Sequence, residues 1–176
     1  MQEEIGMTVY TRIESPLGEL LLVGEDSPTA NGGTALTSLS MPDQRNAARI
    51  GTDWRAADAA FDEAARQLRE YFEGRRTAFE LELAAEGTPF QQRVWAAVDT
   101  VGYGSTVSYG ELARRAGVAR SDARAVGTAV GANPLLLVRA CHRVIGADGS
   151  LRGYAAGIPR KEALLTLEGA LQPQLG

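Results

Sequence analysis

The sequence predicts an α/β (α+β) chain built in two parts, a strand-rich domain over 1–87 and a mostly helical domain over 88–176. Three observations carry that reading. Runs rich in β-formers alternate with turn residues through the first forty positions, helix-capping signals recur after position 87, and charge divides between the halves. Residues 1–87 hold eight arginines against sixteen carboxylates, a net −8, while 88–176 hold ten cations against six carboxylates, a net +4. The overall charge of −4 hides this asymmetry, which directs a polyanionic partner to the second half.

Taken in order, Met7–Ile13 reads as a strand, Ser15-Pro16-Leu17-Gly18 as a turn, and Glu19–Val23 as the hairpin partner. Pro28, Asn31, Gly32 and Gly33 make 27–33 a loop, and Ala35–Met41 reads as a third strand. Phe61, Ala64, Ala65, Leu68, Tyr71 and Phe72 fall at helical spacing, with Gly74 suited to the helix end. Phe79, Leu81 and Leu83 alternate with polar residues, which predicts a short strand. No residue of this half points to chemistry.

The second half is punctuated by caps. Thr88-Pro89-Phe90-Gln91 is a capping box with proline at the first helical position, opening a helix that buries Phe90, Val94, Trp95 and Val98. Gly102-Tyr103-Gly104 breaks it. Ser108-Tyr109-Gly110-Glu111 is a second capping box, its helix closing at Gly117, and Ser121 can cap a third helix running to about Gly131. Two short helices joined through Gly117–Arg120 have helix-turn-helix spacing, which ordinary αα-hairpins share. The third helix carries small residues (Ala123, Ala125, Val126, Gly127, Ala129 and Gly131) and one long side chain, Arg124. A face that smooth suits close approach to a DNA minor groove, and equally suits tight helix packing. Leu135–Val138 reads as a short buried strand leading into Cys141. Gly146–Gly149 is a turn, Gly153–Gly157 an aromatic-bearing loop, and Pro159 starts a last helix over Arg160–Glu168 that ends at Gly169.

Composition narrows the function. With one cysteine and one histidine, the chain forms no internal disulfide and no zinc site of Cys and His alone. No apolar run approaches the ~20 residues that span a bilayer. Acidic residues stand at Met1–Glu4, where a secretory signal carries basic ones. The expectation is a soluble cytoplasmic protein with no metal, no cofactor and no membrane partner. The one chemical signal is that the only cysteine, Cys141, adjoins the only histidine, His142. An imidazole can take a thiol proton, whereas a lone cysteine is commonly an inert core residue. Adjacent residues of an extended strand face opposite sides, so the pair would need a bridging water or a bend.

Several motifs carry a resemblance. Thr88-Pro89-Phe90-Gln91-Gln92-Arg93-Val94-Trp95, Tyr103-Gly104, Ser108-Tyr109-Gly110-Glu111-Leu112-Ala113, Arg124-Ala125-Val126-Gly127, Asn133-Pro134 and Cys141-His142-Arg143-Val144-Ile145 follow in order, continued by Gly153-Tyr154, Lys161-Glu162 and Leu167-Glu168-Gly169. Together, over 88–169, they resemble the O6-alkylguanine-DNA alkyltransferases. The first half matches more loosely the family's N-terminal domain of ribonuclease-H-like topology. The resemblance implies stoichiometric, irreversible transfer of an alkyl group from O6-alkylguanine in double-stranded DNA to Cys141, with O4-alkylthymine a second candidate substrate. It further implies that His142 accepts the thiol proton through a water and that Glu168 orients His142. Asn133 would pin the turn before the nucleophile. Tyr109 would crowd the target phosphate and protonate the departing guanine. Arg124 would fill the gap left by the flipped nucleotide, on a DNA-binding face that includes Ser121, Ala123, Ala125 and Gly127. Phe90, Val144, Tyr154, Ala155 and Ala156 are the corresponding pocket residues. The expected state is a monomer, with cooperative binding on DNA left open.

The chain departs from the family pattern at particular positions. Arg139 and Ala140 stand where an aliphatic residue and proline usually precede the cysteine, Val130 where asparagine is common, Gly102 where proline is, and Ala156 where glycine is. Three fates are open for Arg139: lowering the thiol pKa, pairing with an acid such as Glu168, or snorkelling to solvent. Ala156 would narrow acceptance of bulky alkyl groups. The rival readings are an alkyltransferase-like protein that binds the lesion without transfer, a Cys–His hydrolase, and a helix-turn-helix regulator.

Overall fold

Thr8–Ile13 (β1) and Leu20–Asp26 (β2) pair antiparallel, from Thr8 opposite Glu25 to Ile13 opposite Leu20. This computed structural model describes residues 7–171, so the acidic start at Met1–Glu4 lies outside the described residues. Reciprocal backbone bonds between Ser15 and Gly18 close the hairpin, with Gly18 at φ +105°, a conformation glycine enters without a Cβ penalty. Thr34–Ser40 (β3) pairs antiparallel with β2 across an irregularity at Val23/Gly24. Arg55–Ala56 (β4), a two-residue strand with no periodic signal of its own, runs parallel to β1 and sets the order β3-β2-β1-β4. Asp62–Phe72 (α1) buries Ala64, Gln67, Leu68 and Tyr71.

The strand expected at Phe79–Leu83 is reduced to one parallel bridge, Leu83 to Leu36. Two segments share the outer edge of β3, which explains the shortfall. Leu36 exchanges backbone bonds with Glu82 and Ala84, and Leu39 exchanges them with Pro134 and Leu136. The expected strand at Leu135–Val138 is likewise one bridge, Leu135 to Leu39. The chain then turns, with Leu137 at φ +73°, a left-handed conformation that breaks the strand alternation. The edge of the first half's sheet therefore holds the segment that delivers Cys141.

Pro89–Val98 (α2) starts with the full capping box between Thr88 and Gln91. Its Val94, Trp95, Ala97 and Val98 are buried, while Phe90 is only half-buried. Val107–Ser108 (β5) pairs parallel with Val144–Ile145 (β6), a connection the sequence did not reveal. Tyr109–Ala116 (α3) follows and ends at Gly117 with φ +71°. Only half of the second capping box forms: Ser108 Oγ accepts from the Glu111 N–H, but the Glu111 carboxylate turns to Arg114 and Arg115. Ser121 does not cap Ala123–Gly131 (α4), because it lies inside a 3-10 turn at Arg120–Asp122 and Asp122 takes the cap position with no side-chain bond. Trp95 Nε1 donates to the Ala129 carbonyl at 2.9 Å, joining α2 to α4. Ile158–Leu167 (α5) completes the domain. One apolar core runs through both halves, from Val9 and Leu39 to Leu136 and Leu164. Among the described residues no helix is long and apolar enough to cross a membrane.

Candidate active site

Cys141 opens a 3-10 turn, Cys141–Arg143, between the Leu135 bridge and β6. The bend answers the objection raised by strand alternation, since neighbours on a tight turn need not face opposite ways. Asn133 shapes the approach: its Oδ1 accepts from the Leu135 N–H at 2.9 Å, and its Nδ2 donates to the Leu135 and Arg139 carbonyls at 3.3 and 3.2 Å. The Cys141 N–H also donates to the Arg139 carbonyl, at 2.8 Å. Ala140, in the usual proline position, has φ −80°, within the range a proline ring imposes.

Cys141 is 4 % exposed. Burial pushes its pKa up to about 11, against the pull of an Asn133 hydrogen bond and the positive charges of Lys161 and Arg139. Little thiolate exists near neutral pH without a base to accept the proton. The adjacent His142 is fully buried, with Nε2 2.9 Å from Glu168 Oε2. Burial lowers the imidazole pKa, outweighing the Glu168 interaction that would raise it. The ring is therefore neutral near pH 7.

Glu168, at the C-terminal cap of α5, gathers three donors besides the ring. Tyr71 Oη donates to Oε2 at 2.6 Å, and Arg143 donates from Nε to Oε1 at 2.8 Å and from Nη2 to Oε2 at 3.0 Å. Burial would raise this carboxyl, but hydrogen bonds from His142 and Arg143 bring it down to about 2. Because the carboxylate can only accept, Nε2 of His142 carries the hydrogen and Nδ1 is left as an acceptor. Nδ1 is buried and has no hydrogen-bond partner among the described residues.

A cleft of about 290 Å³ exposes this chemistry, lined by Cys141, Tyr109 of α3, Gly127 and Val130 of α4, Tyr154, and Arg45 from the first half. A Cβ at Gly127 would stand 3.8 Å from Cε1 of Tyr109, an ordinary van der Waals contact, so the two residues are immediate neighbours across the cleft. Burial raises the Tyr109 phenol pKa, helped by the Cys141 charge. The Tyr154 hydroxyl is buried with no hydrogen-bond partner among the described residues, and its ring meets His142 edge-on at 6.5 Å. Ala155 also lines the cleft; Phe90, Val144 and Ala156 do not. The Val144 side chain packs in the core, and Ala156 gives its carbonyl to Arg160. On α4, Arg124 and Ala125 are exposed, as is Ser121 on the preceding turn, with Ala123 and Gly127 half-exposed. Arg124 has no ion-pair partner among the described residues.

Sequence reasoning missed four contributors. Lys161 is buried and donates from Nζ to the carbonyls of Val144, Leu151 and Gly153 at 2.6, 2.5 and 3.0 Å. Burial draws its pKa down to about 8. Arg143 and Tyr71 hold Glu168, and Arg45 walls the cleft, its N–H bonded to the Ala155 carbonyl at 3.1 Å. The first half thus does contribute to the site, contrary to expectation. A lysine flanked by Arg160 and Glu162 leaves no local signal that it is buried, but the surplus of cations near Cys141 could have prompted the question. Arg139 pairs with neither solvent nor Glu168: its Nε lies 3.3 Å from Asp99 Oδ1, and its side chain is 8 % exposed. Among the described residues, no cluster of three or more His, Cys, Asp or Glu is placed to hold a metal.

The model for the DNA binding domain of 6-O-methylguanine DNA methyltransferase matches residues 89–170, and that for its ribonuclease-like domain matches residues 8–85. A methylated-DNA–protein-cysteine methyltransferase of Mycobacterium bovis is 47% identical over 167 residues, covering 95% of this chain and 96% of its own. One from Methanosarcina acetivorans is 40% identical, covering 92% of this chain and 98% of its own. The crystal structure of Mycobacterium tuberculosis OGT in complex with DNA superposes with a TM-score of 0.80 at 47% identity, covering 92% of this chain and 93% of that one.

Proposed function

This chain belongs to the 6-O-methylguanine DNA methyltransferase family, and from that membership we propose that Cys141 is the acceptor of an alkyl group removed from O6-alkylguanine in double-stranded DNA. The activity is direct-reversal repair, a single methyl transfer per protein molecule. The observation that carries the assignment is that Cys141, the only cysteine, lines the same cleft as Tyr109 and Tyr154, beside a buried, neutral His142.

DNA docks through the helix pair α3–α4, where Arg124 and Ala125 are exposed. The damaged nucleotide turns out of the stack into the cleft, at a cost of a few kcal/mol that a poorly paired lesion reduces. Arg124 occupies the space it leaves. The Cys141 proton passes through a water to Nδ1 of His142, whose Nε2–H stays bonded to Glu168. Sγ then attacks the alkyl carbon in line; the carbon–oxygen bond breaks, its electron pair goes to the guanine, and Tyr109 supplies the guanine's proton. The product is a thioether, which no group in the site can cleave, so the protein reacts once.

The test is to mix purified protein with a duplex carrying O6-methylguanine and weigh the intact protein. One methyl group gained, mapped to the Cys141 peptide and absent from Cys141→Ala, is the expected result. Tight lesion binding with no mass change would make the protein a lesion-recognition factor instead.

A further inference from the structure

The first half sends one segment to the cleft, and that segment carries a charge the transfer chemistry leaves unused. Arg45 is the only cleft-lining residue whose side chain is charged at neutral pH; the others are glycines, aliphatics, two tyrosines and Cys141. Its backbone is held from both sides. The Arg45 N–H donates to the Ala155 carbonyl at 3.1 Å, and Asn46 Nδ2 donates to the carbonyl of Gly131, the last residue of α4, at 3.3 Å. Buried Gln44 closes the turn, its Oε1 accepting from the Met41 N–H at 2.9 Å and its Nε2 donating to Asn46 Oδ1 at 3.2 Å. The guanidinium lies against the end of α4, where a Cβ built at Gly131 would stand 3.6 Å from Nη2. Arg45 is exposed and has no ion-pair partner among the described residues.

Depth in the cleft decides what this cation meets. Cys141 is buried and Arg45 exposed, so the first marks the floor of the cleft and the second its rim. A flipped nucleotide turns about its own backbone. Its base and alkyl group go to the floor, and its phosphates stay at the rim.

We propose that Arg45 is a specificity-determining residue that grips a phosphate beside the flipped nucleotide, a contact made only once the base has entered the cleft. The proposal rests on the reading of Cys141 as the alkyl acceptor. A guanidinium fork with no competing carboxylate suits a phosphate, which it can bond bidentately. The first half carries a net −8, so the contact is local and not part of a general attraction to DNA. Arg124 stands near the start of α4 and Arg45 against its end, about 10 Å of helix apart. One arginine fills the gap in the stack while the other holds the extruded strand. The competing role is structural, a cation set against the negative end of α4.

Salt dependence and choice of substrate separate these roles. Binding is measured in a Cys141→Ala background, to a duplex carrying O6-methylguanine and to the unmodified duplex, over a series of salt concentrations. Arg45→Gln is expected to flatten the log–log salt slope by about 0.9 on the lesion duplex, the worth of one phosphate contact. On the unmodified duplex the slope should not change. Arg45→Lys keeps the charge and should keep the slope. With Cys141 in place, Arg45→Gln should slow transfer from the methylated duplex about tenfold, the worth of one charge-assisted hydrogen bond. Transfer from the free base O6-methylguanine, which has no phosphate, should keep its rate. Equal slope changes on the two duplexes, no change on either, or equal slowing on duplex and free base overturns the proposal. A lower melting temperature with unchanged slopes also overturns it and leaves Arg45 a support for α4. If the wild-type protein takes a methyl group from neither substrate, the acceptor reading fails, while the salt slopes still decide the Arg45 contact.

Discussion

Nε2 of His142 lies 2.9 Å from Oε2 of Glu168, and this contact decides which ring nitrogen is free to take a proton. A carboxylate has no hydrogen to give, so the ring must donate there and accept at Nδ1. Glu168→Gln removes that constraint, because an amide can present either a donor or an acceptor to the ring. The expected outcome is a fall in the transfer rate of about 100-fold or more, the usual worth of a general base, measured by single-turnover kinetics on methylated duplex. The Arg143 pairing weakens too, so melting should also fall; an unchanged rate would remove Glu168 from the mechanism.

Acid should affect activity and stability at different points. His142 is held below its ordinary pKa of 6.5 by burial, so transfer needing the neutral ring persists as pH falls past about 6.5 and declines only below it. Stability begins to fall earlier. Between the ordinary value and the lowered one, the unfolded chain binds a proton that the folded chain refuses, so unfolding gains as pH drops below about 6.5. Glu168, ordinarily near 4.5 and about 2 when folded, adds a second loss on the order of 3 kcal/mol, complete only as pH approaches its folded value. Denaturant melts from pH 8 to pH 3 alongside transfer rates would separate the two curves.

Lys161 donates to three carbonyls on segments that flank the cleft. Lys161→Met keeps the stem and removes every donor, stranding acceptors at Val144, Leu151 and Gly153. Unsatisfied buried groups cost about 1–3 kcal/mol each, and partial relaxation leaves an expected loss on the order of 3 kcal/mol. Thermal melting would show a drop of about 6–12 °C for a chain of this size. A shift under about 2 °C would mean that water replaces the ammonium.

Arg124 is exposed and unpaired among the described residues, so Arg124→Ala should change stability by less than about 0.5 kcal/mol. Its effect should fall on DNA. Transfer from methylguanine in a duplex is expected to slow about tenfold or more, and transfer from the same base in single-stranded DNA to slow less, because no stack remains to refill. Equal slowing on both substrates would place Arg124 in general backbone binding.

Ala140 has φ −80°, and its N–H makes no backbone hydrogen bond among the described residues. Ala140→Pro should therefore be accepted and should stabilise by about 0.4–1 kcal/mol through the unfolded chain's lost freedom. Calorimetry would record a rise of about 1–4 °C. A lower melting temperature would show that the ring clashes with Arg139, the residue it restricts.

Caps, turns and short-range periodicity were legible in the sequence by themselves. The hairpin at 8–26, the Thr88 capping box, the Gly117 stop and the last helix all appear close to where residue chemistry put them, because each depends on neighbours within a few positions. The motif order around Asn133, Cys141 and His142 likewise pointed to the family to which the chain belongs. What failed locally did so for nonlocal reasons. Phe79–Leu83 and Leu135–Val138 have strand patterns but compete for one edge of β3, and no window along the chain records that competition. Tyr71 reaches Glu168 across 97 positions, and Arg45 meets the cleft beside Ala155. The sequence determined which groups could react. Tertiary structure alone decided the burial that keeps His142 neutral, the hydrogen bonds that keep Glu168 ionised and the enclosure of Arg139, because desolvation and pairing arise only when distant segments close on one another.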